Sequence, residues 1–178
     1  MIKNIFQNCK YDGFINCAGL HTFSSIDNLT DDQIFDSFKV NSIYPYLILK
    51  NFSKFANYNK NASVILIGSI SSITGSTYLS LYSSSKVSQI SLSKSLSSEF
   101  AKKKIRINTI SAGMLNSKIF ENLKSKLPEQ YISEIEKKHL LGIGQYNDVI
   151  NSICFFLSDK SKWITGTNFI IDGGYSSS

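Results

Sequence analysis

The chain has 178 residues, of which 42% are hydrophobic, and its 19 Lys and Arg against 13 Asp and Glu give a net charge of +6. This length and composition predict one domain over residues 1–178. The positive charges are scattered, and no aromatic residues interleave with the run Lys102 to Lys104, which argues against nucleic-acid binding. No apolar run approaches the ~20 residues of a membrane helix and no signal peptide opens the chain, so we expect a cytoplasmic protein with no membrane partner.

The cysteines and histidines do not indicate a metal site. Cys9, Cys17 and Cys154 are odd in number and form no Cys-x-x-Cys pair, so neither a disulfide framework nor a zinc site is predicted. His21 and His139 have no carboxylate at ligand spacing, and we expect both to face solvent.

Short apolar runs alternate with helical patterns along the chain, which is typical of β-α units that build a parallel sheet. GFINCAG predicts a buried strand that ends in a turn of small residues. In the next segment, Thr30 stands three residues before Gln33, and this capping box predicts the start of a helix. We expect that helix to continue through YPYLILKNFSKF, with a break near Asn41.

The rest of the chain continues this alternation. SVILIGS is rich in β-branched residues and predicts a second buried strand, followed after a polar stretch by a long helix from about Tyr82 to Lys103. The many serines of that helix are small enough to allow close packing, although a polar surface would explain them too. Two further strands are predicted at KIRINTISAG and TNFIIDGG, and two further helices at KIFENLKSKL and NDVINSICFFLSD.

Two tyrosines precede a lysine by four residues, a spacing that places both side chains on one face of a helix. Tyr46 and Lys50 lie inside the earlier helix, whereas Tyr82 and Lys86 follow a predicted strand. Because open parallel sheets bind ligands at the carboxyl ends of their strands, the second pair is the better candidate for a functional site.

The candidate pair suits proton transfer. A phenol has an ordinary pKa of about 10, and a neighbouring ammonium should lower the pKa of Tyr82, so that it can exchange a proton with an alcohol or carbonyl oxygen. Ser69, at the end of the preceding strand, could hold the same oxygen by a hydrogen bond. A backbone carbonyl freed at the helix break near Asn41 could hold a water near Lys86 that returns the proton.

These motifs together resemble the short-chain dehydrogenase/reductase family. NCAG (16–19), Asn41, Ser69 thirteen residues before Tyr82, YSSSK, RINTISAG and ITGTNFIIDGG occur in that family's order and spacing, over nearly the whole chain. The resemblance implies an α/β fold with a Rossmann-like parallel sheet flanked by helices. It also implies an NAD(P)-dependent oxidoreductase that interconverts a small-molecule alcohol and a carbonyl.

The resemblance assigns roles to individual residues. It implies that Tyr82 is the acid/base, Lys86 its activator and ribose-binding partner, Ser69 the residue that orients the substrate, and Asn41 the anchor of the proton relay. It places the cofactor, NAD or NADP, against these further residues: Asn16, Ala18, Gly19, Gly113, Leu115 and Ser117. A homodimer or homotetramer built largely on the helices of Asn41 and Tyr82 is implied as well.

The chain also departs from the family pattern. The usual Asn-Asn-Ala-Gly has Cys17 at its second position, the usual Pro-Gly after the third strand is Ala112-Gly113, and an arginine of the late GRxG segment is Ile143. The first strands of the usual doubly wound sheet and their glycine-rich turn, which bind pyrophosphate and adenosine, are missing before Asn16. An alternative hypothesis is therefore a truncated, catalytically inactive relative that acts through subunit association.

The substrate is not predicted by these motifs. The segment from Met114 to about Leu140, which covers the substrate in relatives, is rich in lysine and contains Phe120 and Tyr131. An anionic substrate or a solvated lid explains the lysines equally well.

Overall fold

A parallel sheet forms the centre of the protein, as shown by a computed structural model that describes residues 9–178. Residues 1–8, on which the signal-peptide prediction depends, lie outside the described residues. The strands follow the order β1-β2-β3-β4 and every neighbouring pair is parallel. Their bounds are β1 Tyr11–Asn16, β2 Tyr58–Ser69, β3 Arg106–Ala112 and β4 Asn168–Ile171. The predicted Rossmann-like fold class is confirmed.

Helices connect the strands and cover both faces of the sheet. Their bounds are α1 Asp31–Phe38, α2 Tyr44–Phe52, α3 Ser71–Thr74, α4 Ser80–Lys102, α5 Lys118–Lys124, α6 Glu129–Lys138 and α7 Tyr146–Leu157. Every strand and helix that the sequence predicts is present, but α3 and α6 were not predicted, and β2 begins five residues before SVILIGS. Among residues 9–178, no helix combines the length and apolar character that a membrane crossing requires.

The predicted break near Asn41 is a single π turn, Lys39–Ile43, between α1 and α2. The helix starts with the predicted capping box, in which Gln33 N–H donates to Thr30 Oγ1 at 3.2 Å and Thr30 N–H donates to Gln33 Oε1 at 3.0 Å. A π turn inserts a residue and so rotates the side chains that follow it. Here it directs the Asn41 side chain into the protein, where it is fully buried.

Alternate residues of the central strands build two cores. On one face, Val64, Leu66 and Ile107 pack with residues of α2 and α4, and on the other, Ile65 and Ile110 pack against α7. All five side chains are fully buried. At ~25 cal/mol per Å² of buried apolar surface, these cores are the main stabilising contribution, and they fix the carboxyl ends of the strands relative to α4.

Helix α4 packs closely on β3, as the small-residue interpretation predicted. Ser85 and Ser93 are fully buried, and Thr109 of β3 donates its hydroxyl toward Gln89 O and Ser93 Oγ, each at 2.8 Å. The polar-surface alternative holds for Ser84, which is exposed. This contact sets the height of the first turns of α4 above the edge of the sheet.

Candidate active site

The three side chains that the sequence predicts for proton transfer converge on one pocket of about 650 Å³ at the carboxyl edge of the sheet. Ser69 ends β2, while Tyr82 and Lys86 lie one turn apart at the start of α4. The pocket wall also contains four of the residues predicted to hold a cofactor: Gly19, Gly113, Leu115 and Ser117. Tyr46 and Lys50, the other pair with this spacing, are exposed on α2.

Lys86 is buried, with 3% of its surface exposed. Its ammonium donates hydrogen bonds to the carbonyl oxygens of Ile67 at 2.9 Å and Ala18 at 3.5 Å, which ties the end of β2 to the turn after β1. Burial lowers the pKa of Lys86 to about 8, since a buried ammonium loses hydration. The cation is therefore held at neutral pH against a desolvation cost, an arrangement frequent at functional sites.

Tyr82 corrects one prediction made from the sequence. Burial raises the pKa of Tyr82, and a hydrogen bond with Ser69 offsets this in part. The expected lowering by Lys86 is wrong, because desolvation of the phenolate is the larger effect. Ser69 Oγ also lies 2.9 Å from Ser71 Oγ. At neutral pH the phenol keeps its proton and can donate it.

Asn41 reaches the turn after β1 with its side chain. Leu20 N–H donates to Asn41 Oδ1 at 2.8 Å, and Asn41 Nδ2 donates to Leu20 O at 2.9 Å and to Ser85 Oγ at 2.8 Å. The backbone carbonyl of Asn41, however, accepts a hydrogen bond from the side-chain amide of Gln89. The helix break therefore does not leave this carbonyl without a partner, contrary to the prediction from the sequence, and the water near Lys86 stays a prediction.

The turn after β1 has the shape expected of a cofactor cradle. A Cβ atom added to Gly19 would lie 2.8 Å from Lys86 Nζ, so a side chain here would displace the lysine. Cys17, Ala18 and Gly19 are exposed at the edge of the sheet, where a flat ligand could lie against the backbone. Asn16 differs from this, because it is buried and donates from Nδ2 to Gln89 Oε1 at 3.2 Å. It positions the turn from beneath.

The opposite wall is built by the residues after β3. Gly113 N–H donates to Ile171 O at 2.8 Å, and a Cβ atom on Gly113 would lie 2.8 Å from the Asp172 backbone, so this close approach requires glycine. Ser117 caps α5 by accepting from Phe120 N–H at 3.4 Å. The expected Ala-Gly turn therefore stands beside the pocket.

Both histidines differ from the prediction that they face solvent. His139 is 4% exposed, and its Nε2 accepts from Met114 N–H at 2.9 Å while its Nδ1 lies 2.7 Å from Ile135 O. His21 is half-buried and packs on Tyr82, with the ring centroids 4.6 Å apart. The position of His21, two residues after a glycine turn at a strand end, is a sequence signal that could have placed it in the pocket.

Helices α5 and α6, which we call the lid, line one side of this pocket. Phe120, Leu123 and Ile132 form the buried core of the lid, and Phe23 from the loop after β1 packs against that core. The Phe23 ring lies 6.0 Å from the Tyr131 ring in an edge-to-face arrangement. The loop after β1 and the lid are therefore joined by aromatic contacts.

The fold and the site define a Rossmann-like α/β protein with a tyrosine and lysine pair at the carboxyl edge of its sheet. The family model described as enoyl-(acyl carrier protein) reductase matches residues 2–176. The chain is 30% identical over 163 residues to the 3-oxoacyl-(acyl-carrier-protein) reductase of Buchnera aphidicola, covering 92% of this chain and 66% of that protein. It is 28% identical to the NADP-dependent (R)-specific alcohol dehydrogenase of Lentilactobacillus kefiri, covering 90% and 64%.

Solved structures agree with this assignment. A short chain dehydrogenase family protein from Francisella tularensis superposes with a TM-score of 0.90 at 27% identity, over 99% of this chain and 76% of that one. A 4-hydroxyisoleucine dehydrogenase complexed with NADH gives 0.83 at 28% identity, over 94% and 69%. The chain belongs to the short-chain dehydrogenase/reductase family and spans about two thirds of the length of these curated relatives.

Proposed function

We propose that this protein is an NAD(P)-dependent oxidoreductase that interconverts an alcohol and a carbonyl, with Tyr82 as acid/base. The observation that carries the proposal is the meeting of Ser69, Tyr82 and Lys86 in one pocket. The relatives named above include one described as NADP-dependent and one complexed with NADH, which supports a nicotinamide cofactor without choosing between the two forms.

The residues of the pocket fit the nicotinamide end of such a cofactor. The exposed backbone at Ala18 and Gly19 would lie under its ribose, Lys86 would bind the ribose, and Gly113, Leu115 and Ser117 would flank the nicotinamide. The close contact that a Cβ at Gly19 would make with Lys86 Nζ supports this, since the absence of a side chain at Gly19 leaves the space beside the ammonium to the cofactor. When bound, the cofactor supplies or accepts the hydride.

The side chains would manage the proton and the substrate oxygen. Ser69 donates a hydrogen bond to the carbonyl oxygen and holds it beside the Tyr82 phenol. Tyr82, protonated because burial raises its pKa, gives its proton to that oxygen during reduction and takes it back during oxidation. The ammonium of Lys86 stabilises the negative charge that develops on the phenol oxygen.

The test is the substitution Tyr82→Phe, which keeps the ring and removes the proton. General acid–base catalysis contributes ~10²–10⁴-fold, so we expect kcat for carbonyl reduction to fall by at least about 100-fold with an unchanged Tm. NADH and NADPH should each be assayed by absorbance with 3-oxoacyl thioesters and simple ketones. Tyr46→Phe is the matched control, because Tyr46 has the same spacing to a lysine on an exposed helix. Wild-type turnover by the Tyr82→Phe variant would refute the proposal.

We also propose that copies of the chain associate through an apolar surface on α2 and α4. We call it the association surface, and it consists of Ile43, Tyr46, Leu47, Ser88, Ser91 and Leu92. Ile43 and Tyr46 are 51% and 55% exposed, and the serines between the apolar side chains allow a helix of a second copy to approach closely. A homodimer or homotetramer would bury this surface.

A further inference from the structure

The proton that Tyr82 gives up must be replaced, and the Asn41 carbonyl, through which the route is expected, already accepts a hydrogen bond. The Asn41 residue is fully buried, its carbonyl accepts from the Gln89 amide, and the Ser88 hydroxyl lies 3.3 Å from the same oxygen. Gln89 is fully buried too, and Asn16 holds its Oε1 from the other side. Because Asn16 holds the other end of the Gln89 amide, Gln89 keeps one of the two acceptor positions of the Asn41 carbonyl and competes with water for this oxygen.

His21 is the imidazole that contacts Tyr82. Its ring lies 4.6 Å from the Tyr82 ring with the planes tilted by 56°, and it lines the same pocket while remaining half-exposed. Burial lowers the pKa of His21, which keeps the ring neutral at neutral pH. A neutral imidazole has one nitrogen that donates and one that accepts, so it can pass a proton without a net change in charge.

The charged groups around His21 are compatible with this neutral state. Lys86 lies below it in α4, and Lys118, Glu134 and Lys138 line the lid side of the same pocket. Among the described residues that line the pocket, these lysines outnumber the one carboxylate, so no cluster of carboxylates stands there to stabilise an imidazolium.

We propose that His21 is a positioning residue that returns the proton to Tyr82 from solvent, and that Gln89 competes with water for the Asn41 carbonyl. This inference rests on the proposed function. After Tyr82 has given its proton to the substrate oxygen, one imidazole nitrogen of His21 donates its proton to the phenolate, directly or through one water. The other nitrogen takes a proton from solvent, so His21 stays neutral and solvent supplies one proton for each carbonyl reduced.

The kinetic test compares His21→Phe, Gln89→Leu and the double variant. His21→Phe keeps the ring contact with Tyr82 and removes both nitrogens, so we expect kcat to fall at least about tenfold. Gln89→Leu frees the Asn41 carbonyl, so the double variant should be faster than His21→Phe alone. An unchanged kcat and pH profile for His21→Phe overturns the role of His21, and a double variant no faster than His21→Phe contradicts the role of Gln89.

A second test needs no turnover. In protein labelled with ¹³Cζ-tyrosine, the Tyr82 signal is identified by its loss in Tyr82→Phe, and we expect it to shift as His21 titrates. The inflection in the curve of the Tyr82 chemical shift against pH should vanish in His21→Phe and persist in Gln89→Leu. Its absence in the folded wild type overturns the inference, whatever the activity. A wild-type protein that shows the inflection but reduces no carbonyl contradicts the proposed function and still supports the pairing of His21 with Tyr82.

Discussion

Single residues in this site combine a structural and a chemical task. Lys86 is the clearest case, because its ammonium joins the Ile67 and Ala18 carbonyls while burial lowers its pKa to about 8. A group with a folded pKa below its unfolded pKa destabilises the fold while it stays charged. The position of Lys86 is thus explained by chemistry better than by stability, as is usual where a charge is buried at a functional site.

The substitution Lys86→Met should reveal this cost. Below about pH 8, Lys86 is charged in both the folded and the unfolded wild type, and its burial disfavours the folded state. Between about pH 8 and 10.5, Lys86 is neutral in the folded state but still charged in the unfolded state. Because the unfolded state then binds more protons, the stability of the wild type rises with pH in this range. Across this pH range the free energy of unfolding of the wild type rises by roughly 3 kcal/mol, at ~1.4 kcal/mol for each unit of the pKa shift of Lys86. The Tm of Lys86→Met relative to wild type should therefore be highest near pH 7 and decline toward pH 10.

Differential scanning calorimetry at several pH values measures this difference. Loss of the two hydrogen bonds to Ile67 and Ala18 lowers the variant's Tm by a similar amount at every pH, so the slope is the informative quantity. Lys50→Met, at an exposed position of α2, is the matched control and should follow wild type. Parallel curves for Lys86→Met and wild type would contradict the buried-charge interpretation.

At the scale of whole elements, the site depends on three segments that meet above the sheet: the turn and loop after β1, the start of α4, and the lid of α5 and α6. Asn41 connects the turn after β1 to the start of α4, because its side chain forms paired hydrogen bonds with Leu20 and a hydrogen bond with Ser85. Phe23 connects the loop after β1 to the lid, since its ring contacts Tyr131 and the buried core of the lid. The loop after β1 therefore contacts both the lid and, through Asn41, the start of α4.

Replacing Phe23 with alanine should loosen the lid. The ring is half-buried, so we expect the free energy of unfolding to fall by ~2 kcal/mol, less than the ~3–5 kcal/mol for a fully buried phenylalanine, and amide exchange to rise more in α5 and α6 than in α4. Hydrogen–deuterium exchange measured peptide by peptide tests this, and Phe23→Leu, which keeps most of the apolar contact, is the control. Amide exchange that rises equally throughout the chain would show that Phe23 stabilises the whole fold and does not hold the lid locally.

At the scale of the whole molecule, the sequence predicts those features that depend on local pattern. The strands follow from apolar runs, the start of α1 from its capping box, and the pocket position of Tyr82 and Lys86 from their place after a strand. The features that it does not predict depend on contacts between distant segments. The Gln89 amide reaches Asn41 across 48 residues, and the burial that raises the pKa of Tyr82 and encloses His139 comes from the folded lid and sheet.

The same reasoning gives a prediction for the assembled protein. Leu47 of α2, 37% exposed, is one of the apolar residues of the association surface. A stable interface buries about 800 Å² on each partner and excludes unpaired charge from its centre. The substitution Leu47→Glu should therefore separate the copies, while Lys50→Glu, a glutamate on the same helix outside this surface, should not.

Sedimentation velocity across a range of concentrations distinguishes the outcomes. We expect the wild type and Lys50→Glu to sediment at a multiple of 19.9 kDa, and Leu47→Glu to sediment at 19.9 kDa with an unchanged circular dichroism spectrum. A monomeric wild type at ~100 μM, where even weak interfaces associate, would contradict the proposed assembly. An oligomeric Leu47→Glu variant would instead show that the copies meet through another face, because an unpaired glutamate buried in the association surface would strongly oppose association there.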